Sequence, residues 1–358
     1  TAVYGRTTAP GTNTQRSIAY ANAVLASGQA VQTFTQAVPV LVDAQGVSNA
    51  AAFQQLTPEA YGSATLIGTE TALTVVDATR TLDLTVPVAQ GMLVRSGLEG
   101  RASTGAAKAD LDLGGVFGGL GYATGTGVHL GGFIGHVATE QQLDDLNATT
   151  KSDSLLLGAF AGGRIADFNV SGLVMHDQSD ARTQRNLAVS PQFGRGRYDL
   201  STWSADVNVT YPMSVAGIQV TPNVGLTYAS TKRDEVSEAV GGGFALEVAA
   251  DRKEGWFADA GVAMSTSTVL AGRAFAPYLQ AGVRKTLSDD GQRVSGQLVG
   301  VDGPVLEVHG VRRDRTVARL AAGFSYELDS LVNLNAGYAG EFGDNARHSL
   351  TVCASLKF

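Results

Sequence analysis

Over most of its length the chain alternates between apolar and polar residues. In STWSADVNVTYPM, Trp203, Ala205, Val207, Val209 and Tyr211 share one face, and Asp206, Asn208 and Thr210 the other. VTPNVGLTYAS, GWFADAGVAM and LVNLNAGYAGEF repeat the pattern, setting Val224, Leu226, Met264 and Tyr338 against Asn223, Thr227, Asp259 and Glu341. The last stretch, HSLTVCASLKF, sets Leu350, Val352, Ala354, Leu356 and Phe358 against Ser349, Thr351, Cys353, Ser355 and Lys357. A period of two is the signature of a strand with two unlike faces. It predicts about twelve strands, near 92–100, 109–122, 127–138, 151–164, 167–178, 197–211, 218–231, 254–267, 274–286, 313–327, 331–342 and 347–358. Several exceed the five or six residues usual in soluble sheets and reach the roughly nine to eleven that cross a bilayer at a tilt.

The links between these segments alternate in length. ATGTG, IAD, PMSVAGI, LAGRA and LDS are short; TEQQLDDLNATTK, QSDARTQRNLAVSPQFGRG, KRDEVSEAVGGGFALEVAADRK and LSDDGQRVSGQLVGVDGPVLEVHGVRR are long. A membrane barrel sorts its connections this way, with turns on one side and loops on the other. The apolar face then meets lipid, and Tyr122, Tyr211, Tyr228, Tyr326 and Phe358 are placed for interfacial girdles. Closure pairs the first strand with the last and leaves no bare edge. The fold class expected is an all-β membrane barrel of about twelve antiparallel transmembrane strands.

Residues 1 to about 90 have another texture. LTPEAYGSATLIGTETALTVVDATRTLDL, residues 56–84, carries a helix start: Thr57 as cap, Pro58 in the first helical position, Glu59 at the positive end of the dipole. A helix of about 25 residues would be roughly 40 Å long, a membrane thickness. Glu70, Thr71, Asp77 and Arg80 make it too polar to face lipid, and Gly62 and Gly68 weaken it. On sequence alone it suits the surface of a soluble domain or the inside of a barrel. Twelve strands enclose more than the self-filled eight and less than the open sixteen, about right for a helix of roughly 10 Å diameter. Lumen-facing Glu99, Asp259, Arg284, Arg319 and Glu341 are candidates to pair with helix residues Glu70, Asp77 and Arg80; the alternative is that these charges line water. Upstream, TQRSIAYANAVLASGQAVQTFTQAVPVLV predicts one or two shorter helices.

Composition narrows the class further. The net charge is −7, charged residues make up 16%, and no basic stripe marks a nucleic-acid surface. The single cysteine rules out an internal disulfide, and no window of about 18 apolar residues predicts a helical membrane span. No signal peptide stands at Thr1, the pattern of a mature or trimmed chain. The histidines, His129, His136, His176, His309 and His348, form no HExxH, and no GxSxG is present. The glycine clusters lack the dinucleotide-binding spacing. Asp144/Asp145 and Asp289/Asp290 read as solvated loop charge. Neither catalytic residues nor a metal or cofactor is expected; any enzymatic activity of the protein would lie upstream.

The terminal SLTVCASLKF, the GYAGEFGDNARHS before it and the FQQLTPEAYGSA ahead of the strands resemble the translocator β-domain, with its N-terminal linker helix, of bacterial autotransporters, the type V secretion proteins. The resemblance covers roughly residues 50–358. It implies an outer-membrane barrel holding a helix in its lumen, with residues 1–55 a passenger remnant or linker, 56–90 the threading helix and 91–358 the barrel. It also implies that the barrel assists export of its own passenger to the cell surface, that periplasmic chaperones and the outer-membrane assembly machinery handle it, and that Val352, Leu356 and Phe358 in the terminal strand serve as the assembly signal. Lipid and lipopolysaccharide are the implied surroundings and a monomer the implied state. The alternative is a passenger-free pore or adhesin barrel. Cys353, the weakly patterned first strand GMLVRSGLEG and the absence of an asparagine-based cleavage motif at the helix depart from the family pattern.

Overall fold

A computed structural model describes residues 4–5, 12–80, 88–98, 106–124, 126–239, 242–289 and 293–356. Twelve long strands form the barrel: β1 Val88–Leu98, β2 Ala109–Ala123, β3 Val128–Leu143, β4 Ala148–Ile165, β5 Phe168–Arg185, β6 Gly194–Thr210, β7 Ile218–Arg233, β8 Asp251–Ser265, β9 Arg273–Asp289, β10 Thr316–Glu327, β11 Val332–Phe342 and β12 Ala346–Leu356. Each pairs antiparallel with its neighbour in the chain, and β12 closes the ring on β1, with Val88 opposite Ser355 and Arg95 opposite His348. The terminal strand predicted from HSLTVCASLKF is thus the closing strand. Two three-residue strands, Met213–Val215 and Thr268–Leu270, extend hairpins at one end.

The period of two appears as an inside and an outside. Val116, Leu120, Leu157, Val207, Leu279 and Val352 all stand exposed on the outer surface. Their contiguity makes a belt far larger than a soluble surface carries. Aromatics bound the belt. At the end with short turns lie exposed Tyr122, the Phe168–Tyr211 pair at 5.2 Å and Phe275 against Phe324 and Tyr326. Toward the other end lie His176–Trp203 at 4.5 Å, Tyr228–Trp256 at 4.9 Å and the Tyr338–His348 stack. Among the described residues no helix is long and apolar enough to cross a membrane.

The links are less regular than the sequence predicts. At the loop end, where long links are expected, two are tight, at 144–147 and 343–345. TEQQLDDLNATTK is mostly strand, because β3 runs to Leu143 and β4 starts at Ala148. β4 and β5 have 18 residues each while β11 and β12 have 11, so one side of the barrel rises well above the other. The loops at 232–253 and 287–313 fold as a second sheet of Val236–Ser237, Leu246–Val248, Arg293–Leu298 and Leu306–His309. Its inner face, with Val248, Val294, Leu298, Leu306 and Val308, is buried.

Among the described residues five helices precede β1: α1 Thr12–Ala26, α2 Val31–Leu41, α3 Ala50–Gln55, α4 Glu59–Ser63 and α5 Thr65–Arg80. The expected single helix from Thr57 is therefore two pieces. Pro58 stands at the N-cap and not in the first turn, and the Thr57 hydroxyl donates back to the Gln54 carbonyl instead of capping. Helices α1 to α3 cover the loop end. Tyr4 packs its ring on Phe34 and Phe53, and Phe34 meets Phe244, in the turn before the loop-sheet strand Leu246–Val248, edge-on at 5.3 Å. The Leu298 amide donates to the Tyr20 hydroxyl at 2.8 Å, and Asn13 bonds both the amide and the carbonyl of His309.

Candidate functional site: a helix clasped in the barrel lumen

The lumen has two unlike walls. On the β2–β5 side it is filled by Leu113, Phe117, Phe133, Leu156, Phe160 and Met175, all buried. Glycines make room for the rings: a Cβ on Gly158 would lie 2.1 Å from the Phe133 ring, and one on Gly131 would lie 2.4 Å from that of Phe160. On the β6–β12 side the inward positions are charged. Helix α5 runs down the lumen against β6 and β7. Its closest approach is at Gly68, where a Cβ would stand 2.0 Å from Thr202 Oγ1 and 2.6 Å from Thr231 Oγ1. Only a residue without a side chain lets this helix lie on that wall.

Glu70, Asp77 and Arg80 recur at helical spacing on one face of α5 and meet the charged wall. Arg80 donates to Asp206 at 2.5 and 3.1 Å and approaches Asp259 at 3.2 Å. Asp77 accepts two bonds from Arg284, at 2.6 and 3.1 Å, and lies 2.7 Å from Arg319. Glu70 is paired with Arg313 and lies 3.4 Å from Arg347, whose guanidinium also donates to the Thr74 hydroxyl. The wall residues bind one another: Arg284 donates to Asp259 at 2.8 Å and to Glu341 at 2.7 Å, and Arg313 donates to Glu341 at 2.6 Å. Among the described residues five arginines face five carboxylates, so their charges balance. Desolvating such charges is tolerable only when each has a partner of good geometry, and removing one partner strands the others.

Of the residues singled out in the sequence, Glu70, Asp77, Arg80, Asp259, Arg284, Arg319 and Glu341 stand together in this network. Glu99 lies outside the described residues. Val352 and Leu356 face outward, 48% and 45% exposed, and Phe358 lies outside the described residues. Asp206, Arg313 and Arg347 belong to the network and were not singled out. Asp206 was visible on the polar face of its strand; Arg313 stands where the predicted strand 313–327 meets the long link before it, and precedes β10 in the structure; Arg347 is the second residue of β12. Below Arg80 a cavity of about 240 Å³ remains toward the turn end, lined by Asn208, Asn223, Gln280 and Arg319 among others.

At the loop end a second set of buried polar groups holds the helical cap. Arg185, at the top of β5, donates to both oxygens of Glu238 at 2.7 Å each, and the Tyr61 hydroxyl donates to Glu238 at 2.6 Å. Burial and the neighbouring Glu238 charge push the Tyr61 hydroxyl well above its ordinary range. Glu59 is fully buried and accepts from the Asn13 side chain at 2.9 Å and from the Ala107 amide. Burial pushes its carboxyl up to about 7, against the lowering effect of those two bonds. Both sets join residues more than forty positions apart. Among the described residues no His, Cys, Asp and Glu cluster has the geometry of a metal site. What the arrangement does is mechanical and electrostatic: it fills a polar lumen and holds the filling in place.

The sequence profile of the autotransporter β-domain matches residues 93–339, more than half of the chain. No curated protein matches the chain in sequence. In structure it is similar to the translocator domain of the autotransporter NalP from Neisseria meningitidis, at 17% identity and a TM-score of 0.66 over 83% of this chain and 97% of that one. It is similar to the transport unit of the autotransporter AIDA-I from Escherichia coli, at 13% identity and 0.59 over 84% and 100%. The β-domain of the Bordetella autotransporter BrkA gives 15% and 0.58 over 76% and 99%. The chain belongs to the autotransporter β-domain family and is an outer-membrane translocator barrel that serves the export of a linked passenger.

Proposed function

We propose that this barrel is closed after export by its own helix, and that the neutral network around Asp77 and Arg80 is what keeps it closed. On this reading residues 1–55 are the end of the passenger or its linker, 56–90 the threading segment and 91–358 the barrel. The loop end faces outward and the turn end faces the periplasm, so α5 enters from the cell surface and β1 begins at the periplasmic end. The observation that carries the reading is the two-pronged pair between Asp77 of the helix and Arg284 of the wall. A pore that only conducted solute would have no use for it.

The domain is a transporter and carries no catalytic activity of its own. It works as a monomer and reaches the membrane through periplasmic chaperones and the outer-membrane assembly machinery. That machinery reads the terminal strand through Val352, Leu356 and Phe358, and lipid and lipopolysaccharide surround the finished barrel. The test is an epitope fused ahead of Thr1 in the full chain, followed on intact cells. The tag should be cleaved by added protease while a tag at 212–216 stays protected. A protected N-terminal tag on a folded barrel contradicts export through this domain.

A further inference from the structure

The outer face of β3–β6 continues upward past the lipid belt, and its charges there are sorted into rows. The register aligns Glu140 with Lys151, Lys151 with Arg182, and Arg182 with Arg197. Three cations therefore stand side by side on adjacent strands, 67%, 61% and 66% exposed at the side chain. The row below aligns Asp153 with Asp180 and Asp180 with Asp199. Directly opposed like charges, about 5 Å apart, destabilise a sheet. Two such rows, one of each sign, are a cost that folding alone does not explain. A groove of about 760 Å³ lies over them, lined by Lys151, Asp153, Asp180, Arg182, Arg195 and Arg197.

Existing partners leave the cations available. Lys151 lies 3.0 Å from Glu140, Arg182 is 3.5 Å from Asp180, and Arg197 is 3.9 Å from the same Asp180. Exposed pairs of this kind are worth at most about 1 kcal/mol. A phosphate held by two arginines makes shorter, charge-assisted and bidentate bonds.

Height selects the source of that phosphate. His176 and Trp203, which mark the interface, face each other across β5 and β6; His176 precedes Arg182 by six residues on β5, and Trp203 follows Arg197 by six on β6. Six residues at about 3.3 Å each, tilted by about 40°, place the cation row roughly 15 Å above the interface aromatics. Aromatics of this kind lie at headgroup level, so a phospholipid phosphate lies below the cations. The aspartate row stands between the two and repels a phosphate reaching up from that level, which is discrimination by repulsion.

We infer that the Lys151–Arg182–Arg197 row is a binding site for phosphate groups carried on the saccharide of an outer-leaflet glycolipid, rather than on its lipid anchor. The occupant is a membrane-resident molecule of the lipopolysaccharide class. The inference rests on the orientation proposed above.

The test uses the full chain in nanodiscs of phospholipid alone, of phospholipid with a glycolipid bearing a phosphorylated core saccharide, and of phospholipid with the same glycolipid cut back to its phosphorylated anchor. Both leaflets carry the glycolipid, so the result does not depend on which end faces outward. Bound glycolipid per barrel is read by native mass spectrometry. Wild type should retain at least about tenfold more of the saccharide-bearing form than of the anchor, since even one charge-assisted bond supplies that factor. Arg182→Gln with Arg197→Gln should fall to the anchor level, with folding checked by heat-shifted mobility. Asp153→Asn with Asp180→Asn should raise retention of the anchor form. Equal retention of both glycolipids by wild type, or no loss in the arginine variant, overturns the assignment.

Discussion

Arg284 of β9 and Asp77 of α5 are joined by two hydrogen bonds, 2.6 and 3.1 Å long, across a lumen in which Arg284 also holds Asp259 and Glu341. One guanidinium therefore ties the helix to three strands. Replacing Arg284 by Ala leaves three buried carboxylates short of their shared cation. Losing one partner of a buried pair costs about 3–5 kcal/mol. The urea midpoint of the refolded barrel should drop accordingly, and Arg284→Lys, which keeps the charge without the planar fork, should fall between. An unchanged midpoint in Arg284→Ala would mean that the pair is solvated and idle.

Gly68 is the contact point on the opposite side. A methyl group there meets Thr202 and Thr231 at distances no atoms tolerate. Overpacking of this kind costs about 1–3 kcal/mol. Gly68→Ala should lower the melting temperature and raise the leak of the barrel in a bilayer, and adding Thr202→Ala should recover part of both. If Gly68→Ala leaves both unchanged, the helix does not lie on β6 and β7.

The cap should respond to pH through Glu59. Its folded value of about 7 stands above the ordinary 4.5, because burial disfavours the charged form. Between those two values the folded state binds more protons than the unfolded state, so stability falls as pH rises across that window and is flat above it. Protease resistance of α1 to α3 should be greatest near pH 4.5 and decline toward pH 7. Glu59→Gln, which imitates the protonated form, should flatten the decline. A cap whose resistance rises across the same window contradicts the burial argument.

On β12 the two faces predict opposite tolerances. Val352 is exposed to lipid and Cys353 is buried toward the lumen, opposite Asn335. A charge on the lipid face near midplane costs about 2–4 kcal/mol. Val352→Arg should reduce outer-membrane levels sharply, and Cys353→Arg, beside polar neighbours, should reduce them less. The reverse order would invert the register of the closing strand.

Where the membrane imposes its own contrast, the strands were legible. From β6 to β12 the apolar residues of Trp203 to Tyr211, Val220 to Tyr228 and Val332 to Phe342 face outward as their period predicts. Above the lipid belt that contrast vanishes. Thr139, Gln141, Thr150 and Ser152 face inward while Glu140 and Lys151 face water, so both sides of β3 and β4 are polar there and the segment reads as loop. The loop sheet was hidden for another reason: its strands have two to six residues, too few for a period to stand out. Three members of the lumen network were missed because a single Asp or Arg on a polar face carries no signal until its partner is known. The helix was recognised by its unsuitability for lipid, yet its start was misplaced, since Glu59 is held by Asn13 and Ala107 and not by its position in the first turn alone.

Conductance through the barrel tests the account most directly. The full chain should form nearly closed channels in a planar bilayer, because α5 and its ion pairs occupy the lumen between the Gly68 contact and Arg80. Removing residues 57–80 should open a stable, water-filled pore with a much higher single-channel conductance and a lower melting temperature. Equal conductance with and without those residues would show that helix α5 is not what closes this barrel.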